Sequence, residues 1–428
     1  MAMTQAEMRN PARKPGEGKA VPPKAARKET ANVNTPVVAA QVEADLGAGP
    51  APAVVAGAAF CIAVDDGHSE TKVAYLRDGA SGPIVTRSFP SRTARGLIEV
   101  DAHGGAGANA YRTYDEDDRV ASGDGDIIMI VPRGRNAEET GDNRTQEYPT
   151  SDRNRALVHH ALHLVAPEGA RLQIGTTLPY SDFHLPVTGG HNLRLIEAKK
   201  ANIAKPVRLI DRQSLKSLPQ PYVVADHGVY SEGVAAFFDC MLNLDENGAL
   251  SLNASFCERF AYVPSFAIVD VGGKTTDIVY GTWSGNPEDQ PMINIAQSES
   301  LKAGVLDAAD DLESKIKQDF NVRSVVDREH ALITRQVPIY GVLRDISHLA
   351  EAALRPLATR IREAVYRYAE DGSGLAYVIF VGGGSVLLKQ HLEVLFDPNL
   401  VYVPSEPRFS NARGVLKIML AEGDGADH

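Results

Sequence analysis

An aspartate closing an apolar run, a glycine turn and a hydroxyl-bearing return segment together can grip a phosphate chain. The sequence carries that arrangement twice. Phe60-Cys61-Ile62-Ala63-Val64 runs into Asp65-Asp66-Gly67-His68-Ser69-Glu70-Thr71-Lys72. About 200 residues later, Phe266-Ala267-Ile268-Val269 runs into Asp270-Val271-Gly272-Gly273-Lys274-Thr275-Thr276-Asp277. Backbone N–H groups on a tight turn are fixed donors without side-chain bulk, and glycine lets such a turn approach an anion closely. Gly67 with His68 and Ser69 forms one such turn, and Gly272-Gly273 with Thr275 and Thr276 forms the other. Lys72 adds a point charge suited to a β-phosphate. One glycine hairpin is ordinary; two, each following a buried strand and an Asp, read as two jaws around one nucleotide.

Asp65, Asp270 and Asp277 place carboxylates where Mg²⁺ and an attacking water would sit. Mg²⁺ keeps most of its waters and is held through a few carboxylates and nucleotide phosphates. Phosphoryl transfer asks chiefly for positioning and charge neutralisation. A third glycine run, Gly382-Gly383-Gly384-Ser385, follows the strand Ala376-Tyr377-Val378-Ile379-Phe380-Val381 and lets the backbone lie flat against a base or ribose. It is not the dinucleotide G-x-G-x-x-G pattern, and a Walker-type G-x-x-x-x-G-K-[ST] is absent. His159 and His163 have the i, i+4 spacing of a metal pair, but lack an intervening H-E-x-x-H glutamate and a third ligand; helix-face packing or a subunit contact explains them better.

The elements that must carry these motifs alternate between strand and helix. A helix is expected from Ser151, with Leu157, Val158, Ala161, Leu162 and Val165 at helical spacing. The strand 171–175 then leads into Thr176-Thr177-Leu178-Pro179. A second helix pattern covers Ser231 to Leu242, and residues 301–370 are largely helical, with Leu306, Ala309, Leu312 and Ile316 on one face. Residues 78–150 read as a small β-containing insertion with Gly- and Asp-rich turns. The class is α/β with two related halves. The expected organisation is a disordered extension over residues 1–57, a first domain over 58–260, a second over 261–420 and a tail over 421–428. The extension is Ala-, Pro- and Lys-rich and cannot bury enough apolar surface to offset its chain entropy.

Bulk properties exclude several classes. At 428 residues and net charge -11, the chain suits two domains and lacks the broad basic face of a general nucleic-acid binder. Cys61, Cys240 and Cys257 have no metal-ligand spacing and suit reduced thiols in the cytoplasm. The least charged stretch, Gly47 to Val64, is broken by Pro50, Pro52 and Gly57, so it reads as a linker and a first strand rather than a membrane span.

The three motifs, in this order, resemble the phosphate-1, phosphate-2 and adenosine motifs of the actin/sugar-kinase/DnaK-chaperone superfamily. Within it the chain looks most like the plasmid-segregation actins, the ParM (StbA) family. That closer likeness lies in Val158-His159-His160-Ala161-Leu162, Thr177-Leu178-Pro179, Ile196-Glu197-Ala198-Lys199-Lys200-Ala201-Asn202 and Phe409-Ser410-Asn411-Ala412-Arg413-Gly414. It spans residues 60–418. The resemblance implies an actin-like fold of two duplicated ribonuclease H-like cores around a nucleotide cleft, binding ATP or GTP with Mg²⁺.

It further implies catalytic roles for Glu232, Asp270 and Asp65. Asp65 would sit near the Mg²⁺, through water, with Asp270 as a second metal-side carboxylate that helps place the attacking water. Glu232, in Ser231-Glu232-Gly233, matches the glutamate that polarises this water from the start of a helix. Nucleotide contacts would come from Asp66, Gly67, His68, Ser69, Lys72, Gly272, Gly273, Thr275, Thr276, Gly382, Gly383, Gly384 and Ser385. The implied partners are further copies of the chain, in a head-to-tail filament, and a ParR-type adaptor bound to a plasmid centromere, with DNA touched only indirectly and no membrane. His68 and Lys274 depart from the family pattern inside the two phosphate loops. Competing expectations are a small-molecule kinase or phosphatase of the same superfamily, whose substrate base has no distinct motif here, and a membrane-side scaffold, which would need an amphipathic terminal helix. A DnaK-type chaperone would need a peptide-binding domain after residue 418.

Overall fold

Two five-stranded sheets of identical topology form the frame of the protein in its computed structural model. The structure describes residues 60–79, 81–97, 109–114, 126–131, 144–286 and 289–426. The expected N-terminal extension lies outside the described residues. In the first sheet, β1 (Phe60–Asp66), β2 (Glu70–Leu76) and β3 (Ile84–Pro90) form an antiparallel meander. β4 (Ala170–Leu178) and β5 (Tyr222–Ser231) then add in parallel on the far side of β1, giving the order β3-β2-β1-β4-β5. The second sheet repeats this plan. β6 (Ser265–Val271), β7 (Thr276–Thr282) and β8 (Met292–Leu301) make the meander, and β9 (Tyr377–Val381) and β10 (Val401–Tyr402) add in parallel beyond β6.

The central strands are near-continuous apolar runs because both faces of each sheet are covered. On the first sheet, Ile62, Val64, Leu172 and Ile174 pack under helix α1 (Asp152–Val165), which presents Leu157, Val158, Ala161 and Leu162. Ser151 starts this helix as expected, its hydroxyl accepting from Asn154 N at 3.1 Å. Helix α2 (Leu193–Ala204) lies alongside α1. The small sheet of Thr93–Arg95, Asp126–Ile130, Ala110–Thr113 and Val207–Leu209 adjoins this layer; its last strand comes from beyond the predicted insertion.

Helix α3 (Val234–Met241) begins only at Val234, because β5 runs on to Ser231 and Gly233 turns the chain with φ of +73°. On the second sheet, helices α4 (Val305–Phe320), α5 (Arg328–Thr334) and α6 (Ser347–Ala369) cover one face through Leu312, Ile316, Leu332 and Leu354. Between α5 and α6 the expected helical region is interrupted by a hairpin, Gln336–Ile339 with Val342–Asp345. Helix α7 (Gly383–Leu395) follows β9 directly.

Helix α8 (Ser410–Ala426) returns to the first sheet, burying Ala412, Val415 and Leu416 against Cys61, Ala63 and Ala74. It crosses the boundary expected near residue 260. It meets α3 at Gly414, where any Cβ would collide with the Ala235 carbonyl. A buried ion cluster fixes this crossing: Arg413 grips Asp239 through Nε–Oδ1 at 3.0 Å and Nη2–Oδ2 at 2.6 Å, and Lys417 Nζ reaches Oδ1 at 2.8 Å. Burial alone would raise the Asp239 pKa, but the two cations outweigh it and hold the carboxyl below its ordinary value. α3 also packs Phe237 and Cys240 against Phe266 and Ile268 of the second sheet, so it lies between both sheets.

Candidate functional site

The two β-hairpins β1–β2 and β6–β7 face one cleft, with the start of α7 and the β5–α3 turn completing its wall. Gly67, His68, Ser69 and Lys72 line it from the first hairpin; Gly272, Gly273, Lys274 and Thr275 line it from the second. The carboxylates of Asp65, Glu232 and Asp270 meet at its floor, and Gly382, Gly383 and Gly384 form another side. Gly382 holds φ of +81°, a conformation glycine adopts without steric cost, and a side chain there would strike Asp270. At Gly383 an added Cβ would meet nothing within 4 Å, so the backbone there is bare toward open space. Val305, Ile333, Val386 and Leu387 add an apolar part to the lining. That part suits a planar base, while the glycine turns and carboxylates suit charged phosphates and a cation.

Alternation along a strand decides which candidates reach the cleft. Asp65 faces it; Asp66 points to the other side of the sheet. There the Asp66 carboxylate takes Lys199 Nζ at 2.6 Å and Asn154 Nδ2 at 2.5 Å, so it pins α1 and α2 to the sheet rather than meeting a ligand. Thr276 is likewise turned away from Thr275's side and donates to the Ala303 carbonyl at 2.9 Å. Ser385 is buried inside the first turn of α7, its hydroxyl on Gly382 O at 2.7 Å. These three predicted contacts lie outside the cleft lining.

Buried carboxylates dominate the electrostatics. Lys72 Nζ lies 3.0 Å from Asp65 Oδ2. Burial raises the Asp65 pKa, against the pull of Lys72; Lys72 itself, despite burial, is held above its ordinary value by Asp65 and Glu70. Glu232 is pushed well above the usual carboxylate range by burial and then by Asp65, Asp270 and Asp277. Burial carries Asp270 to about 6 although Asn411 donates to it at 2.6 Å, and carries Asp277 to about 7 although the Ser300 hydroxyl and Tyr180 N donate to it. The single Thr177 hydroxyl lies 3.0 Å from Glu232 Oε1 and 3.4 Å from Asp65 Oδ1, linking the two.

This surplus of buried negative charge fits a divalent cation. Among the described residues no group of three His, Cys, Asp or Glu side chains is spaced to hold a metal ion unaided. The donor set thus suits a Mg²⁺ held largely by water and phosphate, with Asp65 and Asp270 in support. Sequence reasoning did not select Asn411, Arg408, Glu70 or Thr177, all at the cleft or directly behind it. Arg408 stands 4.4 Å from the Phe409 ring centroid and 3.9 Å from Glu70. The Phe409–Gly414 and Thr177–Pro179 stretches were the available signals for Asn411 and Thr177.

The His159 and His163 pair resolves as packing. His159 is buried, with Nδ1 at 3.0 Å from the Tyr222 hydroxyl and Nε2 at 3.0 Å from Ile203 O. Burial lowers the pKa of both, to about 4. Within the β1–β2 turn, His68 packs its ring 5.0 Å from that of Tyr148. No helix among the described residues is long and apolar enough to cross a membrane.

Duplicated sheets around a cleft faced by two glycine-turn hairpins define an actin-like fold. Residues 134–239 match the family model "Plasmid segregation protein ParM, N-terminal", and residues 268–394 match "Archaeal actin homologue MreB-like, C-terminal". The chain therefore has an actin-like fold, similar to ParM over one matched segment and to an archaeal MreB-like actin homologue over the other. Among solved structures, a non-polymerisable quadruple mutant of pCBH ParM is 18% identical with a TM-score of 0.65, over 85% of this chain and 99% of its own. A 15-stranded ParM filament from Clostridium botulinum is 18% identical with a TM-score of 0.63, covering 84% of this chain and 98% of that one. The archaeal actin homologue Ta0583 in complex with ADP is 20% identical with a TM-score of 0.59, over 85% and 99% of the two chains. These likenesses show a shared fold. A comparison with curated protein sequences gives no significant match.

Proposed function

We propose that the chain is a nucleoside triphosphatase that polymerises head-to-tail and uses hydrolysis to limit filament lifetime, segregating plasmid DNA through a centromere-bound adaptor. The observation that carries the reading is the facing pair of hairpins, each closing on a buried aspartate, with Glu232 between them. The neighbouring folds include a ParM filament and an ADP complex of an actin homologue, which supports nucleotide binding and self-association as the working expectation.

In this reading, turn N–H groups of Gly67–Ser69 and Gly272–Thr275 hold phosphates, Lys72 contributes positive charge, and Gly382–Gly384 flank the nucleoside. A bound Mg²⁺–nucleotide supplies the reactive phosphoryl group and neutralises the acidic floor. Glu232, steadied by Thr177, orients water on that floor, and Asn411 fixes the rotamer of Asp270. ATP and GTP are both admitted by this chemistry.

The test is light scattering with Mg²⁺ and ATP or GTP, where the signal should rise and later fall as nucleotide is spent. Absence of any sedimentable polymer across a wide concentration range removes the filament. Glu232→Ala should slow phosphate release by about 100-fold and lengthen the plateau; unchanged turnover removes Glu232 from the mechanism. A small-molecule kinase would instead leave scattering flat and transfer phosphate only with an acceptor present.

A further inference from the structure

Helix α5 reaches across the mouth of the cleft and occupies part of the first phosphate loop. Ser69 Oγ donates to Glu329 Oε2 at 2.7 Å. The other oxygen of Glu329 lies 3.2 Å from Arg92 Nη2, and the same Nη2 lies 2.6 Å from Asp327 Oδ1. Arg92 and Asp327 are 8% and 4% exposed, so this pair is shielded from water and screened little by salt. The tips of the two phosphate loops also meet: a Cβ on Gly273 would lie 2.7 Å from Ser69 Cβ.

The segment held this way has few backbone alternatives. Asp327 sits in the left-handed region at φ of +48°, and Arg335, at the far end of α5, at +57°. Asp327 is both the ion-pair partner of Arg92 and the cap of the helix, accepting from His330 N at 3.0 Å. Ile333 on the same helix lines the apolar end of the cleft. The ion pair, the helix cap and a wall of the cleft are therefore one piece.

We propose that Glu329 is a built-in competitor for the terminal phosphate, so that α5 distinguishes a bound triphosphate from a diphosphate; this rests on the nucleotide reading above. One hydroxyl carries one proton, and Ser69 cannot donate to Glu329 and to a phosphate oxygen together. Carboxylate and phosphate also repel at such range. A nucleotide whose last phosphate reaches Ser69 must displace Glu329, leave Arg92 on Asp327 alone and loosen the hold on α5. A nucleotide one phosphate shorter leaves the contact in place. Glu329 thus lowers triphosphate affinity and couples that phosphate to the position of α5.

The experiment measures dissociation constants of a non-hydrolysable triphosphate and of the diphosphate for the full chain and for Glu329→Gln. Glutamine keeps an acceptor for Ser69 but removes the charge, so triphosphate affinity should rise about tenfold relative to diphosphate. Glu363→Gln, on α6, should leave the ratio unchanged. Equal tightening for both nucleotides, or no change, overturns the proposal while the nucleotide reading stands. Binding of neither nucleotide to the wild-type chain overturns that reading and the proposal with it. If the variant fails to fold, hydrogen exchange in the wild-type chain decides: α5 amides should exchange faster with triphosphate than with diphosphate, and equal protection overturns the proposal.

Discussion

In the hairpin of β1 and β2, Asp65 stands directly across from Lys72; in the hairpin of β6 and β7, the equivalent register sets Asp270 across from Asp277. The backbone plan is duplicated and the charge plan is not. The first jaw carries its own counter-ion, and its Asp65 is paired at 3.0 Å. The second jaw has two buried acids satisfied by neutral donors, Asn411 for one and Ser300 with a backbone N–H for the other. Hydrogen bonds favour a carboxylate but supply no positive charge, so Asp270 and Asp277 retain protons to about 6 and about 7. The comparison teaches that one backbone plan can carry two charge plans, and that the second jaw is the one whose acids lack a counter-ion across the hairpin.

The largest way to break the comparison is to strip the first jaw of its counter-ion. Lys72→Met should make both jaws alike by leaving Asp65 buried without a counter-ion. Removing one member of a buried ion pair costs about 3–5 kcal/mol, read as a loss of denaturant midpoint at unchanged slope. A loss below about 1 kcal/mol would mean the pair is hydrated in solution and the jaws differ less than their geometry indicates.

A smaller effect comes from proton linkage in the second jaw. Asp270 and Asp277 have folded pKa values above those of an unfolded chain, so the folded state keeps protons that the unfolded state has released. Their contribution is fully present below about pH 4 and is lost as pH rises through about 6 to 7, so stability falls across that window. Asp239 acts in the opposite sense, its lowered pKa giving stability that disappears as acid protonates it, below the window of the other two. Asp277→Asn should flatten the fall between pH 5 and 8, because its amide oxygen still accepts from Tyr180 N while the Ser300 hydroxyl turns to accept. Thermal midpoints of both chains across that range check this; parallel curves would clear Asp277 of the effect.

The sequence made both hairpins readable because an apolar run, an acid and a glycine turn are local signals, and their repetition was visible without any fold. The strands β1, β4, β6 and β9 followed from their apolar runs, and α1 from helical spacing after Ser151. The errors of placement were also local. Period-two alternation sends Asp66 away from Asp65 and Thr276 away from Thr275, and applying that rule strictly would have left both out of the cleft. What local reading could not reach was the support behind each jaw. Asn411 meets Asp270 from 141 positions along the chain, and Glu329 meets Ser69 from 260 away. Such contacts depend on α8 folding back over the first sheet and on α5 crossing the cleft, which no short pattern specifies.

Asn411 offers the finest test of the difference between the jaws. Its side chain donates to Asp270 Oδ2 at 2.6 Å and accepts from Gly233 N at 3.1 Å, so it joins the second jaw to the turn that carries Glu232. Asn411→Ala removes a hydrogen bond that counters burial at Asp270, so the Asp270 pKa should rise further above about 6. The stability loss should be about 1 kcal/mol, and smaller at pH 5, where Asp270 is largely protonated, than at pH 8. Asn411→Asp is the sharper variant, since it keeps the shape and adds a third acid to an uncompensated pair. It should destabilise more than alanine at pH 8 and approach it at pH 5. If Asn411→Asp instead proves harmless at pH 8, a cation already reaches the second jaw in the free protein, and the asymmetry between the jaws closes without nucleotide.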